Sequence, residues 1–179
     1  MNDEDKRYAE LQEMALDAAR HGDIEMLKPM LEAGMPVNLQ DHKGNSLLML
    51  ASYNDQPQTV QILLYHGADP ELRNSRGQTP LAGVAFKGHL ECARILVNHG
   101  ADPNAEQGHG QTPITFAAMF GRQEVLALLQ QNAGKSRASS LVLSSVASIT
   151  RRLRTAATYT MAFFKNHTPK SHYHFTPQP

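Results

Sequence analysis

The chain has 179 residues, of which 41% are hydrophobic, and its 17 Lys/Arg residues balance its 17 Asp/Glu residues. This length is sufficient for one domain with a hydrophobic core of its own. The only cysteine, Cys92, excludes a disulfide framework and fits a reducing compartment. No stretch approaches the ~18 to 20 apolar residues that span a bilayer, and the acidic start MNDEDKRYAEL has neither secretory-signal nor transit-peptide character. We therefore expect a cytoplasmic protein.

The charges divide the chain into two parts with different properties. Residues 1–129 contain 10 Lys/Arg and 17 Asp/Glu, a net charge of −7. Residues 130–179 contain 7 Lys/Arg and no acidic residue, a net charge of +7. Such an abrupt change of composition predicts a folded acidic part followed by a basic extension.

A period of 33 residues runs through the acidic part. The tetrapeptide GQTP occurs at residues 77–80 and 110–113, and GADP occurs at residues 67–70 and 100–103. An upstream copy, ALDAARHGDIEMLKPMLEAGMPVN, aligns in the same register at residues 15–38. A fixed period of this length over four copies indicates structural repeats that stack on one another.

Each repeat begins with the signals of a short helix. Thr79 and Thr112 stand where an N-cap side chain would accept a hydrogen bond from the first turn. Pro80 and Pro113 follow at the first helical position, where the missing N–H costs nothing and φ is already helical. We therefore predict that a helix starts at each of these two prolines.

A second helix and a hairpin complete the repeat. The first helix ends near Gly88 or Gly121, and Gly67 and Gly100 fit the left-handed position that closes the second helix. The segments ADPELRNSRG and ADPNAEQGHG have the composition of an extended excursion with a turn at its tip. The predicted unit is therefore helix, turn, helix and hairpin.

This unit resembles the ankyrin repeat family, because GQTPLAGVAFKGHLECARILVNHGADPNA follows nearly all of the family consensus. The resemblance covers roughly residues 9–131 and implies an all-α solenoid with a basic, largely disordered C-terminal extension. We predict a repeat domain at 1–131, with repeats at about 9–43, 44–76, 77–109 and 110–131, and a tail at 132–179 that is partly helical or disordered.

The chain departs from the family pattern at several positions. The histidine that usually follows Thr-Pro-Leu is replaced by Met49, Ala82 and Thr115, so its hydrogen bond to the hairpin backbone is lost. The second repeat has Asp55 and Pro57 where glycine and an apolar residue are usual, and we expect a looser turn there. The fourth repeat lacks the GAD motif and is therefore the C-terminal end of the stack.

The sequence contains no pattern typical of an enzyme. HExxH, CxxC and a glycine-rich phosphate loop are all absent. His66 and His99 occupy equivalent positions about 10 Å apart by ordinary helix spacing, too far to share a zinc ion with ~2 Å bonds. Cys92 falls in an apolar column, where a small core residue is expected and a reactive thiol is the alternative. We expect no catalysis, no cofactor, no metal and no small-molecule substrate.

The resemblance also implies where a protein partner would bind. In this family, partner contacts come largely from the hairpin tips and from the exposed ends of the first helices, which line a concave face. Carried over position by position, this face comprises fifteen residues: Arg20, His42, Lys43, Asn45, Tyr53, Asn54, Ser75, Arg76, Gln78, Phe86, Lys87, His109, Gln111, Met119 and Phe120.

One column of these residues reads Arg20, Tyr53, Phe86 and Met119. Large aromatic or apolar side chains at three consecutive steps form a ladder, and aromatic residues with a nearby arginine are typical anchors of protein interfaces. The alternative is that each ring lies on the adjacent hairpin and fills space within the chain.

The expected function is a non-enzymatic protein-binding module that acts as a scaffold or adaptor. Three interpretations of the basic tail stay open. In the first, the tail is a poorly ordered segment that is free or packs a helix over the apolar end of repeat four. In the second, it tethers the repeats to an anionic membrane or nucleic acid. In the third, it reflects an alternative terminus or a changed reading frame.

Overall fold

The structure is a computed structural model that describes residues 3–134, which form eight α-helices. The prediction for the basic tail falls on residues 135–179, outside the described residues. Within the described range the only strand-like pairing is a single bridge between Gln40 and Ser46, so the all-α prediction is confirmed. The helices are α1 (Asp3–His21), α2 (Ile24–Glu32), α3 (Leu47–Tyr53), α4 (Pro57–Tyr65), α5 (Pro80–Lys87), α6 (Leu90–Asn98), α7 (Pro113–Met119) and α8 (Gln123–Asn132).

The helices form four antiparallel pairs that stack in two layers. Helix α1 packs on α2, α3 on α4, α5 on α6, and α7 on α8. The first helices of the pairs, here called the inner helices, contact one another in chain order, and so do the second helices, here called the outer helices. Because each pair contacts only its neighbours, the arrangement is the one-dimensional stack that the 33-residue period predicts.

The helix starts follow the predicted caps. The Thr79 hydroxyl accepts a hydrogen bond from the Ala82 N–H at 3.3 Å, and Thr112 accepts one from the Thr115 N–H at 3.2 Å. Ser46, the equivalent residue of the second repeat, caps α3 in the same way. The proline after each threonine is the first helical residue, as the sequence indicates.

The turn between α3 and α4 keeps the backbone conformation and hydrogen bond of its equivalents, although Asp55 replaces a glycine. Asp55 has a φ of +57°, so it adopts the left-handed conformation that Gly88 adopts in the next repeat. The Gln56 N–H donates to the Ala51 carbonyl at 3.0 Å, and the equivalent bond of repeat four is 2.8 Å long. Aspartate tolerates this conformation better than most residues, although three residues separate α3 from α4 and only two separate α5 from α6.

Apolar columns hold the stack together. Leu63, Leu96 and Leu129 occupy equivalent positions in three repeats, and each is 0% exposed. Ala51 and Val84, equivalent positions on the inner helices α3 and α5, are also completely buried. Fully burying one leucine side chain contributes ~1.5 to 3 kcal/mol, so these columns supply a large part of the stabilising free energy.

Side chains at one hairpin position link each hairpin to the next. Gln40 donates through Nε2 to the Gly44 carbonyl of its own hairpin and to the Arg73 carbonyl of the next hairpin. Arg73, 33 residues later, donates to the Gly77 carbonyl at 2.8 Å and to the Glu106 carbonyl at 2.5 Å. The repeated pair of bonds fixes the spacing of three successive hairpins.

A half-buried carboxylate takes part in the same system of bonds. Glu71 accepts a hydrogen bond from the Asp102 N–H at 2.8 Å, just as Asn38 accepts one from the Asp69 N–H at 2.9 Å. Burial, and beside it the negative charge of Asp102, raise the pKa of Glu71 above its ordinary value. The charged form of Glu71 is therefore less stable in the folded protein than in the unfolded chain.

Leu96→Ala should lower the free energy of unfolding by ~2 to 5 kcal/mol, because it removes buried surface and leaves a cavity between repeats. The measurement is denaturant unfolding of the variant beside the wild type. Tyr65→Ala, at a side chain that is 83% exposed, is the control and should change stability little. A loss below about 1 kcal/mol for Leu96→Ala would contradict the described packing.

Glu71→Gln should raise the free energy of unfolding at neutral pH, because burial disfavours the charged form of Glu71. The glutamine oxygen still accepts from Asp102, whereas the cost of a half-buried charge is removed. Because the folded-state pKa of Glu71 is raised, the wild type loses stability as the pH rises from 4.5 through that value, and the variant does not.

Urea unfolding at acid and neutral pH measures this difference. The two proteins should converge as the pH falls below 4.5, the ordinary glutamate value. Glu10→Gln, at an exposed position of α1, is the matched control and should show no such pH dependence. A stability gain that persists at acid pH would show that the effect is not electrostatic.

Candidate functional site

The fifteen predicted contact residues lie at two places in each repeat. One place is the hairpin tip that precedes an inner helix, and the other is the C-terminal end of that inner helix. All fifteen side chains are exposed or half-buried, so each is accessible to a partner to some degree. The tips carry His42, Lys43, Asn45, Ser75, Arg76, Gln78, His109 and Gln111, and the helix ends carry Arg20, Tyr53, Asn54, Phe86, Lys87, Met119 and Phe120.

The first two hairpin tips are hydrogen-bonded to each other. The Ser75 N–H donates to the Lys43 carbonyl at 3.0 Å, and the Asn74 side chain donates to Asn45 Oδ1 at 3.0 Å. Asn74 Nδ2 also lies 3.4 Å from the side-chain oxygen of Gln78. Asn45 and Gln78 therefore stabilise the structure of the tips. The Lys43 side chain is exposed, and the Ser75 N–H of the next tip holds the Lys43 backbone in place.

The third tip is built differently. Asp41 and Asn74 each hold their own tip by accepting hydrogen bonds from its backbone N–H groups. Gln107, at the equivalent position, instead accepts from the Thr79 N–H at the start of α5 at 2.7 Å. The tip residue His109 is exposed and has a φ of +54°. His109 thus lies on a tip whose conformation differs from that of the other two.

The Tyr53 ring rests on the inner helix of the next repeat. Its Cδ2 atom would lie 3.3 Å from a Cβ atom built on Gly83, so the ring occupies the space that the missing side chain leaves. Lys87 Nζ lies 4.9 Å from the ring centroid, within the range of a cation–π interaction. Tyr53 is nevertheless 40% exposed, so part of its ring stays available at the surface.

Three phenylalanine rings form an aromatic cluster at the ends of α5 and α7. Phe86 meets Phe120 edge to face with ring centroids 4.5 Å apart, and Phe116 stacks on Phe120 at 6.5 Å. Phe120 is 43% exposed, and Met119 beside it is 64% exposed. The sequence reasoning did not include Phe116, although its spacing of four from Phe120 places both on one face of α7.

The predicted ladder is therefore a set of pairs between repeats. Tyr53 contacts Lys87 and Phe86 contacts Phe120, in each case a residue 34 positions later. Arg20, at the start of the same column, forms an ion pair with a carboxylate of its own helix. The rings contact the inner helix of the following repeat, so part of each ring fills space within the chain.

Residues at the N-caps of the outer helices fix the ends of the inner helices. His89 Nε2 lies 3.2 Å from the Tyr53 carbonyl oxygen, and Arg122 Nε donates to the Phe86 carbonyl at 3.0 Å. His89 and Arg122 are 33 residues apart, so the same bond recurs in successive repeats. The backbone that carries Tyr53 and Phe86 is therefore held from the next repeat.

Cys92 is the small core residue that the sequence predicts. Its side chain is completely buried, and Sγ donates to Asp55 Oδ1 at 3.6 Å. Burial, followed by the negative charge of Asp55, raises the pKa of the thiol to about 12. The thiol is therefore protonated at neutral pH, which is the opposite of what a cysteine nucleophile needs.

Residues 3–134 contain neither a cluster of metal ligands nor a membrane-spanning helix. No group of three His, Cys, Asp or Glu side chains in this range is arranged to hold a metal ion. No helix in the same range is long and apolar enough to cross a membrane. His99, one of the two histidines considered above, has Nδ1 2.8 Å from the Ile95 carbonyl of its own helix.

A family model described as ankyrin repeats, in three copies, matches residues 16–107 and again residues 48–139. The chain belongs to the ankyrin repeat family. Ankyrin repeats are generally protein–protein interaction modules, and the family is generally non-catalytic.

Three known proteins are each similar to about one third of this chain. An ankyrin repeat protein of Pseudomonas aeruginosa is 43% identical over 58 residues, which are 32% of this chain and 34% of that protein. An ankyrin repeat domain-containing protein of Stachybotrys chartarum is 43% identical over 58 residues, 32% of this chain and 3% of its own. A potassium channel of Arabidopsis thaliana is 33% identical over 57 residues, 32% of this chain and 7% of its own. The matches span about a third or less of these relatives.

Proposed function

We propose that this ankyrin repeat chain is a non-enzymatic scaffold or adaptor that binds a partner protein through its hairpin tips and inner-helix ends. The observation that carries the proposal is the exposed apolar surface of Met119 and Phe120 beside Phe86. Contiguous exposed apolar surface marks interaction sites on soluble proteins, and aromatic side chains are frequent anchors of interfaces.

The construction of this face favours binding. The first two tips are bonded to each other through Ser75 and Lys43, and Arg122 holds the end of α5 from the next repeat. A partner that binds such a face orders little additional backbone. Less conformational entropy is therefore lost on association than with a flexible loop.

The structure also suggests different contributions among the fifteen residues. Met119 and Phe120 are the most exposed apolar members, and the Phe86 ring packs against the Phe120 ring. Asn45 and Gln78 serve mainly the hairpin tips, because their polar groups bond within the chain or to the neighbouring tip. We therefore assign the anchoring contacts to the end of α7 and polar contacts to the tips.

Phe120→Ala should weaken partner binding by ~1 to 3 kcal/mol, the range of an aromatic interface anchor. Its effect on stability should stay well below the ~3 to 5 kcal/mol typical of a core phenylalanine, because its ring is 43% exposed. Affinity purification with the full chain identifies the partner, and calorimetry on the variants beside their melting curves measures both effects.

Tyr65→Ala is the matched control, since Tyr65 is the exposed aromatic residue at the end of the outer helix α4. A partner held at the proposed face should bind this variant as it binds the wild type. Equal losses of affinity for Phe120→Ala and Tyr65→Ala, or no loss for Phe120→Ala, would reject the assignment of the face.

A second candidate function is an adaptor that is tethered to an anionic surface by residues 130–179. The observation that favours it is their net charge of +7, without one acidic residue. Each Lys or Arg near an anionic membrane contributes ~1 kcal/mol of binding free energy. The cytoplasmic location expected from the sequence belongs to this proposal, because the cytoplasmic leaflet is the anionic one.

Vesicles that contain phosphatidylserine should retain the full chain at low salt, and added salt should release it. A chain that ends at Gly134 lacks all seven of these Lys and Arg residues and should not be retained. Vesicles of phosphatidylcholine alone control for charge. Equal retention of the two chains would exclude the tether.

A further inference from the structure

The charge of the proposed binding face is opposite to that of the part of the chain that carries it. Residues 3–134 contain 17 Asp/Glu and 10 Lys/Arg, which gives a net charge of −7. The fifteen contact residues include four Lys/Arg and no Asp or Glu. The face is defined by positions in the repeat and not by charge. Its excess of positive residues is therefore an independent observation.

Three of the four cations lack a carboxylate partner. Lys43, Arg76 and Lys87 are exposed and form no ion pair with any residue in the range 3–134. On the outer helices, by contrast, Lys28 pairs with Glu32 at 3.9 Å and Arg94 pairs with Glu91 at 3.5 Å. These three cations of the face are therefore available to a carboxylate of a ligand, and Lys87 also lies over the Tyr53 ring.

One carboxylate does lie near these cations, but its oxygens are occupied. Asp41 accepts hydrogen bonds from the Lys43 and Asn45 N–H groups at 2.8 Å each and from the Asn45 side chain at 3.0 Å. Burial raises the pKa of Asp41, but these hydrogen bonds outweigh it and hold the pKa below the ordinary value. Asp41 thus serves the hairpin tip and leaves the Lys43 ammonium group unpaired.

The three cations lie at the two ends of the face, and Lys87 is the one next to the aromatic cluster. Lys43 and Arg76 lie on adjacent tips, since the Ser75 N–H bonds to the Lys43 carbonyl. Lys87 follows Phe86 at the other end of α5, whose eight residues span ~12 Å. A segment of a few residues that crosses this face can therefore meet cations at the tips and at Lys87 while one side chain reaches Phe120.

We propose that the partner binds through an acidic peptide segment with one aromatic or long aliphatic anchor. Its carboxylates contact Lys43, Arg76 and Lys87, and its anchor contacts Phe120 and Met119. The assignment rests on the proposed function of the face. A polyanion such as a nucleic acid is disfavoured, because the net charge of −7 on residues 3–134 repels a long phosphate backbone over a Debye length of ~8 to 10 Å.

A random peptide library displayed on phage tests this proposal with the full chain as target. Selected peptides should be rich in Asp and Glu around one apolar residue, and their binding should depend on Phe120. The triple variant Lys43→Glu, Arg76→Glu, Lys87→Glu should bind them with an affinity at least about tenfold lower, because charge complementarity becomes repulsion. The matched control, Lys28→Glu with Arg94→Glu on the outer helices, should bind them as the wild type does.

The other results separate this inference from the proposed function. Phe120-dependent peptides without acidic enrichment, or with full affinity for the triple variant, overturn the inference and leave the proposed function standing. A library that yields no Phe120-dependent peptide contradicts both. Acidic peptides that bind every variant equally are held elsewhere on the chain and also count against both.

A single-stranded thymidine oligonucleotide tests the polyanion. Fluorescence anisotropy should show no binding that depends on both Phe120 and the three cations. Binding that requires both would replace the acidic peptide by a nucleic acid as the ligand of this face. Melting curves of all variants confirm that a loss of binding is not a loss of fold.

Discussion

Burial of apolar columns between consecutive repeats is the interaction on which the rest of this structure depends. A pair of short helices such as α5 and α6 leaves its apolar sides open unless neighbouring pairs cover them. Leu63 and Leu96 are completely buried because each lies between neighbouring helix pairs. The hairpins and helix ends take their positions from this packing, so the surface available to a partner is set by the core beneath it.

The same contacts that join repeats also build the candidate binding face. Tyr53 lies under Lys87, and Phe86 lies against Phe120, so these two rings of the face contact the repeat that follows them. Repeat four has no described repeat after it, and its Met119 is accordingly more exposed than Tyr53 at the equivalent position of repeat two. Among the fifteen contact residues, the most exposed apolar side chains therefore lie in repeat four, whereas Lys43, Arg76 and Lys87 lie on the repeats before it.

Sequence reasoning was accurate where a residue's role depends on its immediate neighbours. The caps at Thr79 and Thr112 were predictable, because a hydroxyl before a proline satisfies a need that is local to one helix start. The contacts of Asp55 and Gln107 were not predictable, because each side chain reaches a residue 28 or more positions away. The fifteen contact residues were inferred from a family pattern that states position and not pairing, so the aromatic cluster with Phe116 emerged only in three dimensions.

The hydrogen bonds between hairpins run only from one repeat to the next, as from Gln40 to Arg73 and from Arg73 to Glu106. Substitutions in α1 and α7 share no contacting side chains among the described residues, so their free energies add, whereas substitutions in adjacent repeats are coupled. Sequence change can therefore accumulate in one repeat with compensation only in its neighbours. A chain built in this way can alter its ligand preference repeat by repeat during evolution while its architecture persists.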